Sequence, residues 1–235
     1  MALILSRLSA VFSAISDCCT MLQKYTKVFI GSTVLLLVPT GELHEELRSL
    51  RTAKKVAQWV KVQYQIKEDH TYEVPLTSSF WHLFLLNHVH IIAGGGWVWN
   101  DHGQLLVIER NGRLDLPKGK LSRNETIEEC ALREVEEECA IEQLELLSGP
   151  FHTYHSYKYK GEFALKTCFW YHMKVDGSPA LLPQEEEGIT AAYWAYPEQV
   201  RLRLKEMPTF TSLKEVFQRF IDGSLVKPKM PNHKA

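Results

Sequence analysis

The chain has 235 residues, 27 Lys and Arg against 28 Asp and Glu, and a formal charge of -1; 45% of it is hydrophobic and 23% charged. This is the balance of an ordinary globular protein, so it excludes large-scale disorder. It also leaves no global field to draw in a nucleic acid polymer or an anionic membrane, and any polyanion site must be local. The length holds one large domain or two small ones. The five cysteines, Cys18, Cys19, Cys130, Cys139 and Cys168, include no CxxC pair and are odd in number. That argues against a disulfide scaffold and points to a reduced, cytoplasmic setting.

In chain order, Met1 to Ser16 is apolar, but Arg7 interrupts it and Cys18-Cys19 suits signal cleavage poorly. Two readings of residues 1–20 stay open: an amphipathic helix, or translated sequence upstream of a native start at Met21. No run reaches the roughly eighteen apolar residues of a membrane span. The closest, Phe80 to Trp99, is broken by His82, Asn87, His88, His90 and Gly94 to Gly96, so no membrane partner is expected.

Residues 21–90 read as a small α+β region. Lys27 to Ile30 and Val34 to Val38 form a hairpin about Gly31-Ser32. Glu42 to Lys61 reads as one amphipathic helix through Leu43, Leu47, Leu50, Val56 and Val60. Ser78 to Val89 reads as another, capped by Ser78 or Ser79. No catalytic pattern stands out here, and His82, His88 and His90 read as packing histidines because nothing nearby sets a ligand geometry.

Residues 91–225 read as a second domain, with 226–235 as a tail. Strands over Ala93 to Trp99 and Leu105 to Glu109 flank an Asn-Asp-His-Gly turn. A helix follows from about Glu125 to Glu138, with Asn124 as its expected cap. Two long strands, Gly149 to Lys160 and Phe163 to Val175, turn at Gly161. The loop Pro183 to Gly188 leads to a strand over Ala191 to Trp194, and the last helix spans about Ser212 to Ile221. The expected fold class is α/β, an α/β/α sandwich with a mixed sheet, preceded by the small α+β region.

The segment that carries chemistry is Gly119 to Ile141, GKLSRNETIEECALREVEEECAI. At 3.6 residues per turn Glu134, Glu137 and Glu138 share an arc of roughly 100°. Ala131, Leu132 and Val135 take the neighbouring arc, which can pack on a sheet. Three carboxylates so crowded repel one another unless a cation intervenes. Hard oxygen ligands suit Mg²⁺ or Mn²⁺, which also bind phosphate oxygens. An isolated EVEEE would read as a solvated acidic helix face; the registered Gly119, Glu125 and Arg133 set this one apart.

The segment resembles the Nudix box through Gly119, Glu125, Arg133, Glu134, Val135, Glu137, Glu138 and Ile141. Ala140 stands where that family has glycine, at a cost of about 1 kcal/mol if the chain leaves the helix with positive φ. The resemblance covers about Ile91 to Trp194. It implies a Nudix fold, a divalent cation (Mg²⁺ or Mn²⁺), and water attack on a phosphorus of a nucleoside-diphosphate-linked small molecule. Carried over by position, Glu137 and Glu138 are the main metal ligands, and the Gly119 carbonyl completes a shell. Glu134 is a further ligand or the base, while Arg133 and Glu125 orient. Family members also place the base in the loop before the last strand, where Glu185, Glu186 and Glu187 stand here, Glu187 ranking first of the three.

The run LPKGK, Leu116 to Lys120, is similar to the approach to the box in dinucleoside polyphosphate hydrolases, with Lys118 and Lys120 as phosphate contacts. A tyrosine about 18 residues past the box marks that group, and Tyr159 lies 18 beyond Ile141. In HTYHSYKYK the tyrosines can stack on a base and Lys158 and Lys160 touch phosphate, or the pattern merely alternates strand faces. Leu114 replaces an aromatic common in relatives. A dinucleoside polyphosphate is therefore the leading substrate class. Nucleoside triphosphates, inositol pyrophosphates and a non-catalytic nucleotide sensor stand behind it; sensors often lose box carboxylates, and this chain keeps them.

Overall fold

A computed structural model describes residues 26–222. The expectations for residues 1–20, the Met21 start and the 226–235 tail lie outside the described residues. The chain divides into two compact units: one takes the chain as far as Ile92 together with His152–Thr167, the other Ala93–Phe151 and the chain from Cys168 onward.

In the first unit β1 (Thr26–Ile30) and β2 (Thr33–Val38) pair antiparallel. Gly31 makes their turn with φ +59°, a value that favours glycine. β2 pairs in parallel with β3 (His70–Pro75), and Val28 to Ile30 pair in parallel with Tyr154 to Ser156. β3 is a strand the sequence reading passed over, although Tyr72 and Val74 are buried between exposed Thr71 and Glu73. The single helix expected over 42–61 is two, α1 (Glu45–Arg48) and α2 (Ala53–Gln63). Thr52 forces the break: it is extended, and its hydroxyl caps α2 by accepting from the Lys55 amide at 3.3 Å. Ser78 caps α3 (Ser79–Leu86) in the same way. Val56, Val60, Phe80, Trp81 and Phe84 close this core against Val28, Ile30, Leu35 and Leu37.

One polar network sits in that core. His88 Nδ1 lies 2.6 Å from the Phe84 carbonyl, which can only accept, so Nδ1 carries the proton. Nε2 then accepts from the Ser156 hydroxyl at 2.8 Å, and Ser156 Oγ accepts from Tyr64 at 2.5 Å. Burial holds His88 down to about 4, and it also lowers His90, whose Nε2 meets the Leu85 carbonyl. Both histidines pack, as expected.

The second unit contains most of β4 (Val89–Asn100), then β5 (Leu105–Arg110), β6 (Arg113–Asp115), β7 (Lys118–Lys120) and α4 (Ile127–Cys139). β8 (Glu145–Tyr159) and β9 (Glu162–Val175) follow, their joined ends grouping with the first unit. A 3-10 turn (Glu185–Glu187) precedes β10 (Ile189–Ala195), α5 (Pro197–Glu206) and α6 (Thr211–Ile221). The strands run in the order β10-β5-β4-β9. Their period-2 alternation fills two cores. Trp97, Trp99, Leu105 and Val107 pack with Val200 of α5 and Leu213, Phe217 and Phe220 of α6. Val98, Leu106 and Ile108 pack with Ala131, Val135 and Cys139 of α4. This is the mixed-sheet α/β/α sandwich. α5 went unexpected, although Pro197 at its first position is a start signal.

Candidate active site

α4 lies almost directly on β4, and the Gly94-Gly95-Gly96 run makes that approach possible. A Cβ on Gly94 would lie 2.8 Å from the Ala131 nitrogen and 2.9 Å from the Ile127 carbonyl, both helix backbone. One on Gly96 would overlap the Val135 side chain, and one on Gly95, pointing the other way, would press on Pro117 and Lys118. β7 pairs with this same stretch, Gly119 opposite Gly94. The result is that the Glu134 carboxylate covers Gly119 so closely that a Cβ there would overlap it. The box glycine and the box glutamate, 15 positions apart in sequence, meet here.

The helix begins with a capping box, Thr126 Oγ1 accepting from the Glu129 amide and Glu129 accepting from the Thr126 amide. Thr126 thus takes the place expected for Asn124; this leaves Glu125 outside the helix, free to reach Arg133. The other end opposes its own electrostatics. Four glutamates, Glu134, Glu136, Glu137 and Glu138, crowd the last turns with no base in the last turn, where the helix dipole disfavours negative charge. Ala140 leaves the helix at φ 51°, ψ 45°, the left-handed conformation that a glycine would adopt without a Cβ penalty. The Glu138 and Cys139 carbonyls accept from the amides of Gln184 (3.1 Å) and Leu182 (3.0 Å). These bonds, with Asn111 N–H to the Gly188 carbonyl at 2.9 Å, fix the acidic turn beside the helix end.

Two arginines neutralise the carboxylates. Arg133 grips Glu125 through two bonds of 2.8 Å and reaches Glu134 and Glu137, each at 2.8 Å. The Arg133 bonds hold the Glu125 carboxyl down at about 2. Arg110, at the end of β5, donates to Glu138 at 2.7 Å and to Glu187 at 2.5 Å. Strand alternation sends the preceding Glu109 to α5 instead, where Arg203 holds it. Glu138 is only 1% exposed, and its second oxygen accepts from the Lys118 amide at 3.0 Å. Burial pushes its carboxyl up to about 7, against the pull of Lys118 and Arg110. Burial raises Glu134 too, with Arg133 opposing and Glu137 and Glu187 reinforcing.

Among the described residues no three His, Cys, Asp or Glu side chains form a ready cation cage, because the arginines engage these carboxylates one by one. The donor set nevertheless fits a hard divalent cation: carboxylate oxygens of Glu134, Glu137 and Glu138, with the Glu134 carboxylate packed on Gly119, whose backbone carbonyl, 3.8 Å from the Cys130 thiol, is a further oxygen donor.

Other expected residues fall as follows. Lys118 is buried with its ammonium 2.5 Å from Asp115 Oδ2, whose other oxygen accepts from the Leu116 amide. Its charge serves the loop, while the Lys120 side chain is exposed. Lys158 and Tyr159 lie where β8 groups with the first unit, Tyr159 edge-on to Tyr157 and under the Lys160 ammonium. Arg110 and Asp115 carry no signal in the sequence that marks them for the site. The Glu-Arg-Asn-Gly stretch signalled only a strand running into a turn.

Residues 89–219, more than half of the chain, match the sequence model of the NUDIX domain. The chain belongs to the Nudix family of phosphoanhydride hydrolases. It is similar to solved structures of the MutT protein from Methanosarcina mazei Go1 (18% identity over 59% of this chain and 97% of that one, TM-score 0.45). The same holds for a C. elegans Ap4A hydrolase binary complex (18%, 57% and 97%, TM-score 0.44) and the M. smegmatis Nudix hydrolase RenU (17%, 60% and 88%, TM-score 0.44). No described helix is long and apolar enough to cross a membrane.

Proposed function

We propose that this protein is a Mg²⁺- or Mn²⁺-dependent hydrolase that splits a phosphoanhydride of a dinucleoside polyphosphate, with residues 91–225 as the catalytic domain. One observation carries the reading: Gly119, Glu134 and the buried Glu138 are packed together in box register, beside Glu187. Glu134, Glu137, Glu138 and the Gly119 carbonyl would hold the cation, which supplies charge neutralisation to phosphate oxygens. Arg133, anchored on Glu125, aims Glu134 and Glu137. Water attacks phosphorus as the bond to the bridging oxygen breaks and the leaving phosphate departs with that oxygen as an anion; the water's proton passes to the carboxylate of Glu187 or, where it is not a cation ligand, of Glu134. The substrate class is supported by the sequence likeness of Leu116 to Lys120, in which Lys120 is the exposed lysine, and by the spacing of Tyr159 from the box. A reduced, cytoplasmic setting is supported by the buried thiols Cys130, Cys139 and Cys168.

The test is incubation of the full chain with Mg²⁺ and a panel of dinucleoside polyphosphates, nucleoside triphosphates and inositol pyrophosphates, read by chromatography. Cleavage of a dinucleoside polyphosphate is expected. Turnover of only the other two classes would move the substrate assignment there; binding without turnover of any would make the protein a sensor.

A further inference from the structure

Among the described residues Arg110 is the cation that joins the helix carboxylates to the acidic turn. From Nη1 it donates to Glu138 Oε1 at 2.7 Å and, at 3.4 Å, to the Lys118 carbonyl; from Nη2 it donates to Glu187 Oε2 at 2.5 Å. With the Lys118 amide on Oε2, both oxygens of Glu138 are taken by protein donors. A dication and a guanidinium compete for the carboxylate oxygens of Glu138, and they repel each other most strongly there, where the side chain is buried. Arg133 is differently placed. Its bidentate bond to Glu125, which lies outside the proposed ligand set, holds it in position whichever way the other carboxylates turn. Among the described residues the ion pairs of Arg110 are to Glu138 and Glu187, with no carboxylate outside the site to anchor it as Glu125 anchors Arg133. Nor does the acidic turn depend on Arg110 for its place, because backbone bonds from Asn111, Leu182 and Gln184 fix it.

We propose that Arg110 is the site's built-in counter-cation, which a divalent cation displaces from Glu138, so that loading the site also loosens the hold on Glu187. The inference rests on the metal assignment above and adds a competitor to it. It explains how Glu138 stays in a buried position without metal: a buried carboxylate without a partner is strongly disfavoured. With Glu187 as the proton acceptor, it also couples loading of the cation to release of that acceptor, since one side chain holds both Glu138 and Glu187.

The test measures Mn²⁺ binding to the full-length chain from the paramagnetic resonance of free Mn²⁺, with melting curves alongside. Arg110→Gln should melt lower than wild type without metal, because Glu138 loses its charged partner. It should nonetheless bind Mn²⁺ about tenfold more tightly, as one nearby positive charge is gone, and show a larger Mn²⁺-induced rise in melting temperature. Arg110→Lys keeps the charge but not the fork, and should fall between the two. If Arg110→Gln does not fold, Arg110→Lys decides alone: tighter binding than wild type supports the proposal, and equal or weaker binding overturns it. Glu138→Gln separates the two failures. Should it lose Mn²⁺ while Arg110→Gln binds no better than wild type, Arg110 is no competitor although the metal site stands. A wild-type chain that does not bind Mn²⁺ would overturn both.

Discussion

The two units bury polar groups in opposite ways. In the first, Tyr64, Ser156 and His88 form a neutral relay in which every donor meets an acceptor and the direction of each bond is fixed by the Phe84 carbonyl. In the second, Glu134, Glu137 and Glu138 stack charge at the wrong end of a helix dipole, and Ala140 sits in a left-handed conformation. The first arrangement satisfies local physics and holds a core together. The second violates it in several places within seven residues, Glu134 to Ala140. Such concentrated conflict is what a site kept for chemistry looks like, since the same carboxylates placed elsewhere would be more stable and bind nothing.

If the comparison holds, substitutions in the two places should part activity from stability. The largest effect belongs to the acidic helix. Glu137→Gln and Glu138→Gln, which remove a charge at nearly constant volume, should each lower kcat by at least about a hundredfold, because a bound cation supplies several kcal/mol to the transition state. Steady-state kinetics at saturating Mg²⁺ checks this, and near-normal turnover in both would end the metal assignment. Circular dichroism should show both folded.

Ser156→Ala should do the reverse. It strands the Tyr64 hydroxyl and His88 Nε2 in the core, a loss of about 1–3 kcal/mol, while the second unit's chemistry is untouched. Denaturant unfolding and kcat measured on one sample decide it; a Ser156→Ala chain as stable as wild type would show the relay to be idle.

The relay should also make the protein acid-sensitive. His88 is held by burial at about 4, below its ordinary 6.5, and His90 is lowered as well. A depressed folded value means that the unfolded chain takes up more protons as pH falls. This contribution is whole above about 6.5 and declines toward about 4. The raised carboxyls of Glu138 and Glu134 act in the opposite direction over the same range, so the measure is differential: between about pH 7.5 and 5 the urea midpoint of wild type should fall relative to that of His88→Gln. Equal slopes would remove His88 from the account.

The smallest expected change is a gain. Ala140→Gly should stabilise the chain by about 1 kcal/mol by relieving the Cβ at φ 51°. A lower melting temperature would mean that the methyl group packs well enough to outweigh its strain.

What the sequence determined by itself was local. The register of Gly119 to Ile141, the acidic arc of α4, the β1–β2 hairpin and the apolar alternation of β4 and β5 all follow from spacings of a few residues, and helix and strand periods convert such spacings directly into faces. Even within that range the caps moved, from Asn124 to Thr126 and from an uninterrupted helix to one broken at Thr52. In both cases a threonine hydroxyl closer to the helix start took the orphan amide. What only the tertiary structure decided was which charges meet. Arg110 finds Glu138 28 residues away and Glu187 77 residues away, and the amides of Leu182 and Gln184 finish a helix that ended more than forty residues earlier. None of these partners is marked by spacing. They come together because three adjacent glycines let α4 press against β4, and β5 and β10 then carry Arg110 and the acidic turn to the helix end.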